Sequence, residues 1–139
     1  MPSSGRSTGS NSMQDFGLLV LRLIVPTSLF LRHGLEKIQH FHAMSAHFPN
    51  PIHIGSVPSF IFAMIADSIC MPLLIVGLFT RWAALWELIN LSVAWALVHH
   101  FQFFGHNGDH GELVVIYIGV MFTLFLTGPG RYSIDAGRN

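Results

Sequence analysis

Four long apolar runs, separated by short polar or glycine-rich connections, organise the 139-residue chain. They extend from Phe16 to about Ile38, Val57 to Phe79, Trp82 to about Phe104, and Glu112 to Thr127. A helix crosses the hydrocarbon core of a bilayer with about 20 predominantly apolar residues, so the pattern predicts an all-α fold, an integral membrane four-helix bundle. Residues 1–15 (MPSSGRSTGSNSMQD) have no apolar period and read as a flexible N-terminal tail. The helical domain then covers 16–131, and 132–139 form a C-terminal tail. The first run is too long for a signal-peptide core and carries Arg22, so it is expected to be retained. Pro72 should kink the second helix rather than end it, whereas Gly128-Pro129-Gly130 ends the fourth.

Only Thr80 and Arg81 separate the second and third runs, which forces an antiparallel hairpin, and four spans return both termini to one side. Arg6, Arg81, Arg131 and Arg138 share that side, against Arg32 and Lys37 on the other. Lysine and arginine in short connections bias insertion toward the cytoplasm, so both termini are expected to be cytoplasmic. This topology sorts the histidines: His40, His42, His47 and His53 fall in the first external connection, and His99, His100, His106 and His110 in the second. Imidazole binds transition metals and titrates near neutral pH. The cluster therefore suggests a transition-metal site, with His99, His100, His106 and His110 as candidate ligands, or a proton-exchange surface. Its spacings match no strong zinc signature.

Composition narrows the classes further. The chain is 51% apolar and 10% charged, with a mean hydropathy of +0.53, whereas about a quarter of the positions in a soluble domain are charged. Seven Lys plus Arg balance seven Asp plus Glu, so the basic excess expected of a nucleic-acid partner is missing and the lipid bilayer is the partner composition points to. Cys70 is the single cysteine, which excludes an internal disulfide or a C-x-x-C pair. The sequence has no phosphate loop, dinucleotide fingerprint or nucleophile–base arrangement.

An ionisable group at the centre of a span costs about 2.5–3.5 kcal/mol on insertion scales and so faces the interior. In the first helix Arg22, Pro26, His33 and His40 share one face, bordered by Glu36 and Lys37. Glu87 and Asn90 share a face of the third, with Glu87 about as far from the cytoplasmic boundary as Arg22; a structural ion pair between Arg22 and Glu87 is expected. Asp67 lies mid-way along the second helix, at a depth comparable to Arg32 and His33. Two readings of Asp67 stand side by side: a proton relay or polar anchor for a head group such as a quinone, and an interhelical hydrogen-bond clamp.

The residues LRHGLEK at 31–37, Asp67 ten positions before Gly77 in GLFTRWAAL, Glu112 after a glycine-rich loop, and GPGRYSID at 128–135 together resemble the DoxX family. The likeness covers nearly the whole chain after the tail. It implies a multi-pass, four-helix protein of the bacterial cytoplasmic (inner) membrane that is associated with quinone-linked redox chemistry. By position, His33, Gly34 and Lys37 match the family's first-helix motif, Glu112 its acidic start to the fourth helix, and Gly128, Gly130, Arg131 and Tyr132 its closing turn. Asp67 stands where the family usually has glutamate, and Cys70 and Met71 occupy a typically glycine-rich stretch. The expectation is a small membrane subunit of quinone-linked oxidoreduction, with redox-complex subunits as partners and His33, Lys37, Asp67 and Glu112 as quinone or proton contacts. The alternatives are a metal-handling membrane protein that uses the external histidines, and a non-catalytic scaffold subunit.

Overall fold

The computed structural model describes residues 8–104 and 111–138, with side chains from Ser12 onward. Among them there is no strand. Helix α1 runs over Thr8–Leu29, continues through a π-helical turn at Phe30–Gly34 and ends with Leu35–Gln39. A short α2 follows at Phe41–His47. Helix α3 comprises Ser56–Met64, a second π turn at Ile65–Cys70 and Met71–Val76; α4 comprises Thr80–Val93 and a third π turn at Ala94–Val98; α5 is Gly111–Thr127. A 3-10 turn, Asp135–Arg138, closes the chain.

The helices differ from the expected runs at two boundaries and in the form of one kink. The expected tail is already helical from Thr8, because extending a helix fixes one residue for each hydrogen bond gained and needs no apolar period of its own. The third run stops at Val98 instead of Phe104. There His100 and Phe101 take left-handed φ values of 49° and 59°, and Phe101 N–H donates to the Trp95 carbonyl at 3.0 Å, satisfying a carbonyl of the last turn. Helix α3 passes through Pro72, as expected, but the disturbance takes the form of a π turn just before it. Proline's ring crowds the carbonyl four residues back, here Ser68, and the wider turn gives that carbonyl room.

Helix α1 packs along the Met71–Val76 part of α3, the π turns of α1 and α3 lie against each other, and α4 packs on α5 and on the α3 π turn. The core between them joins Leu29, Met71, Leu74, Leu91, Met121 and Leu124 to the small residues Ala83 and Ala84. Large apolar side chains cover the outside, Ile24, Ile116 and Leu126 among them, while Arg22, Lys37, Asp67 and Glu87 are buried. That is the polarity of a lipid-embedded protein, in which polar groups find partners inside. By length and composition Ser12–Gln39 and Ser56–Val76 are able to cross a membrane.

The residues after α5 are a clasp where a tail was expected. Arg131 N–H donates to Asp15 Oδ1 at 3.1 Å, Ile134 N–H to the Val76 carbonyl at 3.3 Å, and Asp135 N–H to the Gly77 carbonyl at 2.9 Å. The Asp135 carboxylate accepts from Phe79 N–H and Thr80 N–H, each at 2.9 Å, and so caps the start of α4. The first turns of α1, the α3–α4 turn and the chain's last residues thereby share one end of the molecule.

Partial burial works against ionisation of Asp135, but the backbone donors of Thr80 and Phe79, with Arg138 nearby, prevail and hold its carboxyl below the usual carboxylate value. Its stabilisation is therefore complete above the unfolded pKa of about 4 and is lost as pH falls through the lower folded value. Asp135→Ala should destabilise the protein by about 1 kcal/mol at pH 7, a typical cap loss. In thermal unfolding across acidic pH the gap from wild type should close below about pH 4; a gap that stayed constant would show that the carboxylate caps nothing.

Candidate functional site

The π turns of α1 and α3 cross at Gly34. A Cβ added there would run into the carbonyl oxygen of Asp67, and Ser68 Oγ donates to the Gly34 carbonyl at 3.0 Å. Backbones approach this closely only where a side chain is missing. The crossing carries Lys37, one turn further along α1, to Asp67: Nζ and Oδ2 are 2.7 Å apart, with both side chains 8% exposed. From α4, the fully buried Glu87 reaches the same region. Its Oε2 accepts from Asn90 Nδ2 at 3.5 Å, its Oε1 has no hydrogen-bond partner among the described residues, and Asp67 and Lys37 lie within coulombic reach. One lysine thus serves two carboxyl groups in an apolar surround.

Beside this cluster lies a cavity of about 350 Å³. Arg32, His33, Lys37, Asp67, Asn90, His99 and Tyr117 supply its polar wall, and Leu29, Phe48 and Leu91 part of its apolar wall. Each of the three π turns contributes lining: His33 from the first, Asp67 from the second, Ala94 from the third. A π turn inserts a residue into the helical register and often marks a working site. Phe48 and His99 come from the two histidine-rich connections, which therefore meet at this end, opposite the clasp.

Three of the four expected head-group or proton contacts, His33, Lys37 and Asp67, come together here. Glu112 does not: it is half-buried in the first turn of α5, whose contribution to the wall is Leu113, Val114 and Tyr117. The expected Arg22–Glu87 pair is not formed. Arg22 donates through Nη2 to the Tyr132 carbonyl at the clasp, where Gly77, at φ +73°, leaves the space its guanidinium fills; Glu87 turns to Asn90 and the Lys37–Asp67 pair. Equal depth along two helices does not put side chains on facing sides. Of the four candidate metal ligands, His99 lines the cavity, His100 is exposed, and His106 and His110 lie outside the described residues. No three His, Cys, Asp or Glu side chains converge on one point among the described residues. Tyr117 and Phe48 are wall residues not expected from the sequence; a tyrosine hydroxyl in the middle of an apolar run was the available signal for the first.

A helical membrane-type protein with a buried ion pair beside a polar cavity is the class these features define. The chain belongs to the DoxX family, whose model matches residues 17–100. An uncharacterized protein of Haemophilus influenzae (strain ATCC 51907 / DSM 11121 / KW20 / Rd) is 35% identical over 135 residues, a match that covers 88% of this chain and 86% of the relative. No solved structure matches the chain.

Two substitution series test the cluster. Removing one partner of a buried pair strands the other charge, so Lys37→Met and Asp67→Leu should each destabilise the protein by about 3 kcal/mol or more, while the double variant recovers most of the loss. Simple addition of the two penalties in detergent unfolding would disprove the pairing. Gly34→Ala should lower the melting temperature because its methyl group meets the Asp67 carbonyl, whereas Gly119→Ala, with nothing within 4 Å, should be neutral or stabilising. Equal behaviour of the two would show that the crossing is loose.

Proposed function

We propose that the four long helices cross the bacterial cytoplasmic membrane as a bundle with both termini cytoplasmic, and that the polar cavity binds a quinone head group for a quinone-linked oxidoreductase of which this chain is a small subunit. The observation that carries the reading is the Lys37–Asp67 pair, buried yet bordering a cavity. A buried pair that only registers helices needs no space beside it.

The donor set fits the group. A quinone presents two carbonyl acceptors on a flat, uncharged ring; the Lys37 ammonium and the His33 imidazole can donate to a carbonyl, with His99 and Tyr117 as further polar groups, and the Phe48 and Tyr117 rings provide apolar surface for the ring to lie against. The ring is neutral, so the ion pair remains intact when the site fills. When bound, a quinone supplies reversible two-electron, two-proton chemistry. The chain's own groups position it and hold protons. Asp67 and Glu87 are two carboxyl groups within coulombic reach of one another and of Lys37, and Asp67 borders the cavity. His33 stands on the same wall, within coulombic reach of both Asp67 and Lys37.

Protein purified in mild detergent should retain quinone in its lipid extract, and titration with a short-chain ubiquinone analogue should saturate the quenching of tryptophan fluorescence. Asp67→Asn and Lys37→Met should each weaken binding by about tenfold or more, as expected for loss of a hydrogen bond involving a charged group. Glu112→Gln, away from the cavity wall, should bind like wild type. Wild-type protein that neither retains nor binds a quinone would end this reading.

A further inference from the structure

A second cavity, of about 290 Å³, adjoins the first. Its wall is almost wholly apolar: Ile52 and Ile54 from the connection before α3, Phe62 from α3, and Ile89, Val93 and Val98 from α4. Phe48, Ala63, Asn90 and Ala94 line both cavities and stand where the two adjoin. The apolar cavity reaches the lateral face between α3 and α4, where Ile52, Ile54 and Ile89 are about half exposed. It is also preformed. Asn50 Oδ1 accepts from Gly55 N–H at 3.0 Å and from Ser59 Oγ at 3.4 Å, which ties the 48–54 connection to α3. At the α3 wall Phe62 is held by stacking on Trp86, with ring centroids 4.8 Å apart, and its carbonyl accepts from Trp86 Nε1 at 3.3 Å.

A polar chamber and an apolar chamber that share a wall match one kind of molecule, a compact polar head carrying a hydrocarbon chain. Both volumes are of the order found for pockets that hold small molecules, about 300–1,000 Å³. We infer that the apolar cavity is the tail site of the same ligand: an isoprenoid or alkyl chain enters between α3 and α4 from the bilayer, lies along Ile89 and Val93 under the 48–54 connection, and passes Phe48 and Ala94 to a head group beside Lys37 and Asp67. The inference rests on the quinone reading above and adds the ligand's lipidic character and its route of access.

The test uses full-length protein in detergent and two ubiquinone analogues, one tailless and one with a decyl chain bearing a diazirine. After illumination, peptide mass spectrometry should find adducts on residues 49–54 and 89–98 that unlabelled decyl analogue competes away. Val93→Trp and, as a second filling variant, Ile89→Trp should weaken binding of the tailed analogue by about tenfold and leave tailless binding within about twofold. Ile116→Trp, on the outer face of α5, should change neither. Adducts confined to outer residues such as Ile24, Ile116 and Leu126, with tailless binding intact, would overturn the tail site and leave the head-group reading standing. Loss of binding by both analogues in the wild type would overturn both.

Discussion

The Lys37–Asp67 pair governs this fold because it is the interaction the surroundings can least replace. Two opposite charges in an apolar interior attract strongly, but each has given up its hydration, and the geometry has to be tight for the pair to be tolerated. Gly34 provides that geometry. With no side chain at the crossing, α1 lies directly on the Asp67 carbonyl, and the Ser68 hydroxyl locks the two backbones together. A larger residue at 34 would push α1 off the Asp67 carbonyl and lengthen the Lys37–Asp67 distance. The π turns belong to the same solution. They occur in α1 and α3 at the crossing itself, where an inserted residue re-aims a side chain without ending the helix.

Arg22 is buried at a separate place, and the contrast explains which location is a site. Arg22, 1% exposed, donates to the Tyr132 carbonyl and occupies space that Gly77 leaves open, under a C-terminal segment that is itself hydrogen-bonded to the α3–α4 turn and to Asp15. The guanidinium is built into a joint between chain segments. Lys37 and Asp67 instead border open volume, with His33, His99 and Tyr117 turned toward the same space. One end of the molecule is closed by its own chain, and the other carries a lined chamber.

Much of the architecture was legible because apolar runs of spanning length leave few alternatives: the helices lie on the four runs, although the α3–α4 turn falls at residues 77–79 and the expected Thr80-Arg81 break is already the first turn of α4. The family was legible in short stretches such as LRHGLEK and GPGRYSID. What could not be read was azimuth. Residue counting gives depth along a helix, and depth paired Arg22 with Glu87 and set Asp67 opposite Arg32 and His33. The partner of Asp67 is Lys37, a turn beyond, because a π turn at Phe30–Gly34 breaks the 3.6-residue period on which face assignments rest. Nor could the sequence show that residues 131–135 fold back. Their hydrogen bonds run mainly through backbone groups, which every sequence possesses.

The charge state of the chamber wall restricts what it can accept. Lys37 and Asp67 neutralise one another, and within an apolar surround that balance is costly to disturb. An anionic ligand would compete with Asp67 for Lys37 and leave a carboxylate unpaired; a cation would do the reverse to Lys37. Either exchange removes one partner of a buried pair, a change that costs about 3–5 kcal/mol when made by mutation. A neutral molecule with hydrogen-bond acceptors can instead take up donor capacity the pair leaves unused, since an ammonium has three N–H groups and Asp67 engages Lys37 through a single oxygen at 2.7 Å. An uncharged carbonyl compound thus leaves the Lys37–Asp67 pair intact, while Arg32, which also lines the chamber, is a further donor on the same wall.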